Sequence, residues 1–188
     1  MTFHDDINRA VEVMNNGGII LYPTDTIWGI GCDATNADAV AKIYALKQRD
    51  DSKALITLVP SSAWIERYVN EVPDVAWELI DVAVAPLTII YDKGRNLAAN
   101  LMAPDGSVGI RVTGEAYSAE LCRRLRKPVV STSANISGMT SPALFSHITP
   151  EILSGVDYVA TWRRDDTSVS KPSGVIKLSK GGLIKILR

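Results

Sequence analysis

Pro128-Val129-Val130-Ser131-Thr132-Ser133-Ala134-Asn135-Ile136-Ser137-Gly138 is the stretch on which the architecture turns. Pro128 to Thr132 forms an apolar, β-branched run that suits a buried strand. It opens directly into hydroxyls, an amide and a glycine. A well-capped loop would use such residues, but so many small polar groups at the end of a buried strand favour a ligand.

Working outward, helical and strand patterns interleave. Ile7, Ala10, Val11 and Met14 recur at helical spacing, and Asn15 to Gly18 stop that helix. Ile19 to Tyr22 reads as a short strand, and Thr24 to Asp33 as a loop carrying Gly29 and Gly31. Thr35 or Asn36 caps a helix that buries Val40, Ile43 and Tyr44 and delivers Lys47 and Arg49 at its end. Ala54 to Val59 and Leu87 to Tyr91 read as strands, with a short helix at Trp64 and Ile65 and another from Val72 to Ala83 between them. Val108, Ile110 and Val112 alternate with Gly109 and Arg111, which sends Arg111 to the face opposite its apolar neighbours. Leu121, Cys122 and Leu125 mark a further helix face, and Thr149-Pro150 a helix start. Tyr158 to Ala160, Val175 to Leu178 and Leu183 to Leu187 are candidate strands, and 161–173 is a charged loop. The closing strands follow one another closely, which predicts a mixed sheet with antiparallel pairing. One α/β domain over residues 1–188 is the expectation.

Composition narrows the function. Hydrophobic residues are 46% and charged residues 22%, with a formal net charge of -1, which argues against a surface that is a nucleic-acid footprint throughout. No run is long and apolar enough for a bilayer, and the N-terminus has no secretory pattern, so a cytoplasmic protein without a membrane role is expected. Cys32 and Cys122 lack metal-ligand spacing and read as small buried residues. With His4 and His147 alone, a histidine-rich zinc site and a hydrolase triad are both disfavoured, and no Walker-type phosphate loop is present.

Four polar clusters need a reason. Pro23-Thr24-Asp25-Thr26 either grips a small polar ligand or is a capped turn; the two weigh evenly. Lys47 and Arg49 either complement a helix C-terminus or face phosphates as a point charge and a rigid donor fork. Arg111 either lies on a solvated face or holds a carboxylate or phosphate in a cleft. The fourth is the turn after Ser131. Arg163-Arg164-Asp165-Asp166 reads as solvated surface, because its charges nearly cancel. Trp64, Trp77 and Tyr44 read as core, whereas Trp28 lies within the glycine-bearing loop and is a candidate pocket wall.

Taken in order, Pro23-Thr24-Asp25-Thr26-x-x-Gly29-x-Gly31, Lys47-x-Arg49, an apolar strand with Arg111, and Ser131-Thr132-Ser133-Ala134-Asn135-x-Ser137-Gly138 resemble the threonylcarbamoyl-AMP synthase family, the YrdC-like proteins, over about 7–187. Length resembles the short bacterial form. The resemblance implies a YrdC-like twisted mixed sheet with flanking helices around a large concave cleft. It implies synthesis of L-threonylcarbamoyl-adenylate from L-threonine, bicarbonate and ATP with Mg2+, releasing pyrophosphate, for modification of tRNA adenosine-37 by partner proteins. Lys47, Arg49, Ser133 and Asn135 fall on the family's catalytic tetrad, and Thr24, Thr26, Arg111, Ser131 and Ser173 on other ligand-contacting places. A double-stranded RNA or tRNA binding module, and a divergent paralogue with another acyl or amino-acid substrate, are the alternatives. The chain departs from the family pattern at Asp50 to Ala54, at Val84-Ala85-Pro86, and at Gly174 to Lys177.

Overall fold

A computed structural model describes residues 1–49 and 55–188; the departure at Asp50 to Ala54 lies outside the described residues. The chain opens with α1 (Phe3–Asn15), started by a reciprocal cap in which the Thr2 hydroxyl accepts from the Asp5 amide while the Asp5 carboxylate accepts from the Thr2 amide. β1 (Ile20–Tyr22) follows, then β2 (Gly29–Gly31), α2 (Ala37–Lys47) and β3 (Ile56–Val59). A 3-10 turn over Ser62–Arg67 leads to α3 (Val75–Val82), β4 (Leu87–Tyr91), β5 (Val108–Val112), α4 (Ala116–Leu125) and β6 (Val129–Ser133). The chain ends with α5 (Pro150–Gly155), β7 (Tyr158–Val159), β8 (Gly174–Leu178) and β9 (Ile184–Ile186).

These strands form one sheet in the order β7-β1-β2-β6-β3-β5-β4-β8-β9. β1/β7, β3/β5 and β4/β8 pair in parallel, and the remaining neighbours are antiparallel. The mixed sheet expected from the sequence is therefore present. Its hydrophobic packing divides in two. One cluster gathers α1, α2, α4 and α5 on β1, β2 and β6; the other sets α3 and the 3-10 turn on β4, β5 and β8. Cys32 and Cys122 are buried free thiols within the first. No helix among the described residues is long and apolar enough to cross a membrane.

One expected loop is partly a strand. Gly29 to Gly31 lies between β1 and β6, pairing with both. Its glycines disguise it, but they are what the position requires. A Cβ on Gly31 would stand 2.4 Å from the Val130 carbonyl oxygen and 2.6 Å from Tyr22 Cε1. Glycine inside a strand marks such a close approach rather than a turn. Tyr22 cannot retreat easily, since it is fully buried and its hydroxyl donates to the same Val130 carbonyl at 2.9 Å. Elsewhere Tyr44 is core as expected, while Trp64 and Trp77 are only half-buried.

The clash predicts the cost of one methyl group. Gly31→Ala should lower folding stability by about 2 kcal/mol or more, as overpacking against backbone does. Urea denaturation measures this, and an unchanged midpoint would contradict the strand assignment.

Candidate functional site

The polar residues singled out in the sequence meet over one face of the central strands. α2 starts at Asn36, whose side-chain oxygen accepts from the Asp38 and Ala39 amides at 3.0 and 3.1 Å. It ends at Gln48, whose left-handed conformation (φ 49) reverses the chain. Lys47, the last helical residue, therefore turns inward while Arg49 passes outward.

Lys47 is 1% exposed. Its Nζ donates to the main-chain oxygens of Ser133 and Asn135, the latter at 2.5 Å. The Lys47 carbonyl in turn accepts from the Ser137 amide at 2.8 Å. One lysine thus clasps the start of the Ser-Ala-Asn turn from both its side chain and its backbone. Burial and the neighbouring Arg49 guanidinium push its pKa down to about 8, against the pull of two carbonyls that favour the ammonium.

Arg49 opens instead into a cleft of about 310 Å³, whose walls include Thr26, Arg111, Ser131, Ser133 and Ser173. Trp28 lines it too, buried against Phe145 with ring centroids 4.8 Å apart. The floor includes Gly29, Ile56, Ile90 and Val175, from four strands. Three of the proposed residues stand outside these walls: Lys47 behind the Ser133 turn, and Asn135 and Thr24. Asn135 turns its amide into its own loop, donating to the Ile136 and Met139 carbonyls at 3.0 and 2.7 Å. Thr24 stands behind Thr26: its hydroxyl donates to the Ile27 carbonyl at 2.8 Å and accepts from the Thr26 amide at 3.0 Å.

Arg111 points to the cleft face from β5, as the alternation requires, and is 3% exposed. Its Nη2 lies 3.0 Å from Asp25 Oδ1 and donates to the Thr26 hydroxyl at 3.4 Å. The first contact is ionic rather than a directed hydrogen bond, because Asp25 Oδ1 and Arg111 Nε both lack hydrogen-bond partners. A guanidinium this deeply buried in a cleft wall favours a bound anion through its charge, although its unpaired Nε is itself covered. Burial raises the Asp25 pKa and Arg111 opposes that rise. Ser173 is held by Thr88, hydroxyl to hydroxyl at 2.8 Å, and its carbonyl accepts from Arg188 Nε at 3.0 Å.

A second cavity of about 320 Å³ lies on the opposite face, under Ile110, Val112, Ile80 and the Ala83–Leu87 turn. It is mainly aliphatic and gathers few polar groups. The polar cleft is the candidate site.

Sequence reasoning missed the two arginines of the 161–173 segment. They are half-buried ties, not solvated surface. Arg163 Nη1 donates to the Thr24 carbonyl at 3.1 Å, and Arg164 donates to the Ala160 and Val159 carbonyls at 2.7 Å each. Cancelling charges hid them, since the acceptors are backbone oxygens with no sequence signature. Ser141 and Arg188, which also line the cleft, had no motif to mark them.

Comparison with known proteins places this arrangement. The Sua5/YciO/YrdC family model, described as "Telomere recombination", matches residues 12–188. The chain belongs to the Sua5/YciO/YrdC family. As a family member it is 38% identical over 172 residues to a putative threonylcarbamoyl-AMP synthase of Methanocaldococcus jannaschii, covering 91% of this chain and 79% of that protein. It is 35% identical over 133 residues to a threonylcarbamoyl-AMP synthase of Cellvibrio japonicus, covering 70% of each. Among solved structures, E. coli YciO superposes with a TM-score of 0.85 at 25% identity, over 100% of this chain and 89% of that one. P. abyssi Sua5 complexed with L-threonine superposes at 0.85 and 24% identity, over 97% of this chain and 53% of that one, so this chain spans about half of its length. The mixed sheet with flanking helices is thus the YrdC-like fold.

The Arg111–Asp25 pair makes a prediction with a sign. Arg111→Met leaves a mostly buried carboxylate without its cation and should cost about 3 kcal/mol or more. Burial and the Glu115 charge then act on Asp25 against only a backbone hydrogen bond, so its folded-state pKa rises further. The penalty for the charged form is complete above that pKa and is relieved as pH falls through it. The deficit relative to wild type should therefore shrink from pH 7.5 to pH 5, as followed by urea denaturation at each pH (a pH-independent deficit would refute it).

Proposed function

We propose that this family member activates a threonine-derived carbamate with ATP, giving L-threonylcarbamoyl-adenylate and pyrophosphate. The observation that carries the proposal is the convergence of Arg49, Arg111 and the Ser131, Ser133 and Ser173 hydroxyls on one cleft. Rigid cationic forks beside short hydroxyls suit phosphate and carboxylate oxygens together. The names of the Methanocaldococcus jannaschii and Cellvibrio japonicus relatives, and the L-threonine bound to P. abyssi Sua5, support the choice of amino acid and reaction.

In the proposed reaction, threonine and bicarbonate first condense to N-carboxy-threonine with loss of water. A carboxylate oxygen of that carbamate attacks the α-phosphorus of ATP. The new O–P bond forms as the bond to the β-phosphate oxygen breaks, and pyrophosphate leaves with its electron pair. A carboxylate is already a competent nucleophile, so no strong base is required. Arg49 offsets charge on the phosphates. Arg111, fixed between Asp25 and Thr26, holds its positive charge at the cleft wall for an acidic group of the substrate. Lys47 places Ser133 by holding the carbonyls around it and adds positive charge behind the turn. Positioning then supplies much of the rate.

Among the described residues no group of three or more His, Cys, Asp or Glu side chains could hold a metal. The cleft walls are rich in guanidinium and hydroxyl groups, and Asp25, which meets them, is already paired with Arg111. Mg2+ therefore fits as a companion of the nucleotide phosphates, not as a protein-held cofactor. The product would pass to tRNA-modifying partner proteins.

Mass spectrometry of the products formed from ATP, bicarbonate and a panel of amino acids tests the proposal. Threonylcarbamoyl-adenylate should dominate and require both bicarbonate and threonine. A different acyl-adenylate would assign the chain to a divergent branch, and nucleotide-independent, salt-steep RNA binding without turnover would favour an RNA-binding module.

A further inference from the structure

The 161–173 segment returns to the cleft at Pro172 and Ser173, but its fixed part is at its beginning. Asp6 of α1, itself buried, accepts from the Thr161 amide at 3.0 and 2.9 Å and from the Trp162 amide at 2.9 Å. Arg164 donates to the carbonyls of residues 159 and 160 and lies over the Phe145 ring, 5.1 Å from its centre. Between these anchors Arg163 adopts a left-handed backbone conformation (φ 63), which costs energy in a residue with a long side chain. Its guanidinium then bridges three pieces of chain. Nη1 donates to the Thr24 carbonyl at 3.1 Å and lies 3.5 Å from Glu115 Oε1, while Nε meets Asp166 Oδ2 at 2.6 Å.

Each partner bears on the cleft. Thr24 supports Thr26, whose hydroxyl accepts from Arg111. Glu115 follows β5, the strand that carries Arg111, and is immobilised as the cap of α4 by the Tyr117 and Ser118 amides at 3.0 and 2.8 Å. Asp166 belongs to the segment that continues to Ser173. The left-handed turn and the three contacts converge on one side chain.

We propose that Arg163 is a positioning residue for the cleft. It clamps the Pro23–Thr26 turn to the end of β5 and to the 161–173 segment, and so sets the spacing between the Thr26 hydroxyl and Arg111. It acts through those groups and does not itself line the main cleft. The assignment rests on the function proposed above only for its kinetic consequence.

Arg163→Gly is the informative variant, because glycine keeps the left-handed turn without strain and removes the arm, and Arg163→Asn, which also tolerates that turn, controls for the backbone freedom glycine adds. Hydrogen exchange should speed up about tenfold or more in the Pro23–Thr26 turn, at the Thr26 amide that donates to the Thr24 hydroxyl, and in the 161–173 segment, at the Asp166 amide that donates to the Arg163 carbonyl, with α1 and α2 unchanged. The KM for the amino acid should rise about tenfold while kcat changes by no more than about twofold, with guanidinium ion in solution partly restoring the KM. Wild-type exchange in both segments would overturn the clamp. Faster exchange with an unaltered KM would overturn the positioning role. If wild-type protein made no threonylcarbamoyl-adenylate, the proposed function would fail while the exchange measurement still judged the clamp.

Discussion

The buried ammonium of Lys47 is the constraint on which the site depends. A charge that is 1% exposed needs acceptors, and this one finds them in two backbone carbonyls of the turn after β6. Because backbone oxygens are the acceptors, the lysine fixes the path of the chain itself. The hydroxyl of Ser133 and the course of Asn135 to Ser137 follow from that path. The amide of Ser137 completes the lock by donating back to Lys47. Helix α2 and strand β6 are far apart in sequence, and this clasp makes them a single wall.

The sheet then separates two environments. Alternation along β5 sends Arg111 to the cleft and Ile110 and Val112 to the aliphatic cavity on the other side. Asp25 reaches the boundary from the Pro23–Thr26 turn and meets Arg111 there. Burial opposes the charge on Asp25, so the pair is held by mutual need rather than by surplus attraction. What it provides is a guanidinium whose orientation is already fixed through Nη2 by Asp25 and Thr26. Preorganised donors of this kind act without reorganising when a substrate's charge develops.

Much of this was legible in the sequence because the informative features were local. Asn36 caps α2 through its own side chain, Pro150 starts α5, and the β5 alternation states which way Arg111 points. What was hidden depended on neighbours distant in the chain. Gly29 to Gly31 resembles a loop until Val130 and Tyr22 are packed against it. Lys47 resembles a helix-end cation until the Ser133 carbonyl arrives. Arg163 and Arg164 resemble a solvated charge run, because backbone carbonyls carry no sequence pattern. Asn135 was grouped with the ligand-facing residues by its motif, yet its amide serves its own turn. Motif spacing gathers residues at a site without stating which way each one faces.

What must hold is that the Lys47 ammonium, buried behind the Ser133 wall of the cleft, responds to anions bound there. Titration of the isotopically labelled Lys47 side chain by NMR, with and without pyrophosphate, tests it directly. The free protein should show a midpoint near 8, and a bound anion should raise it, because opposite charge favours the protonated form. By the same linkage, pyrophosphate affinity should fall as pH rises through that midpoint. A midpoint in the ordinary lysine range, unmoved by pyrophosphate, would contradict the account.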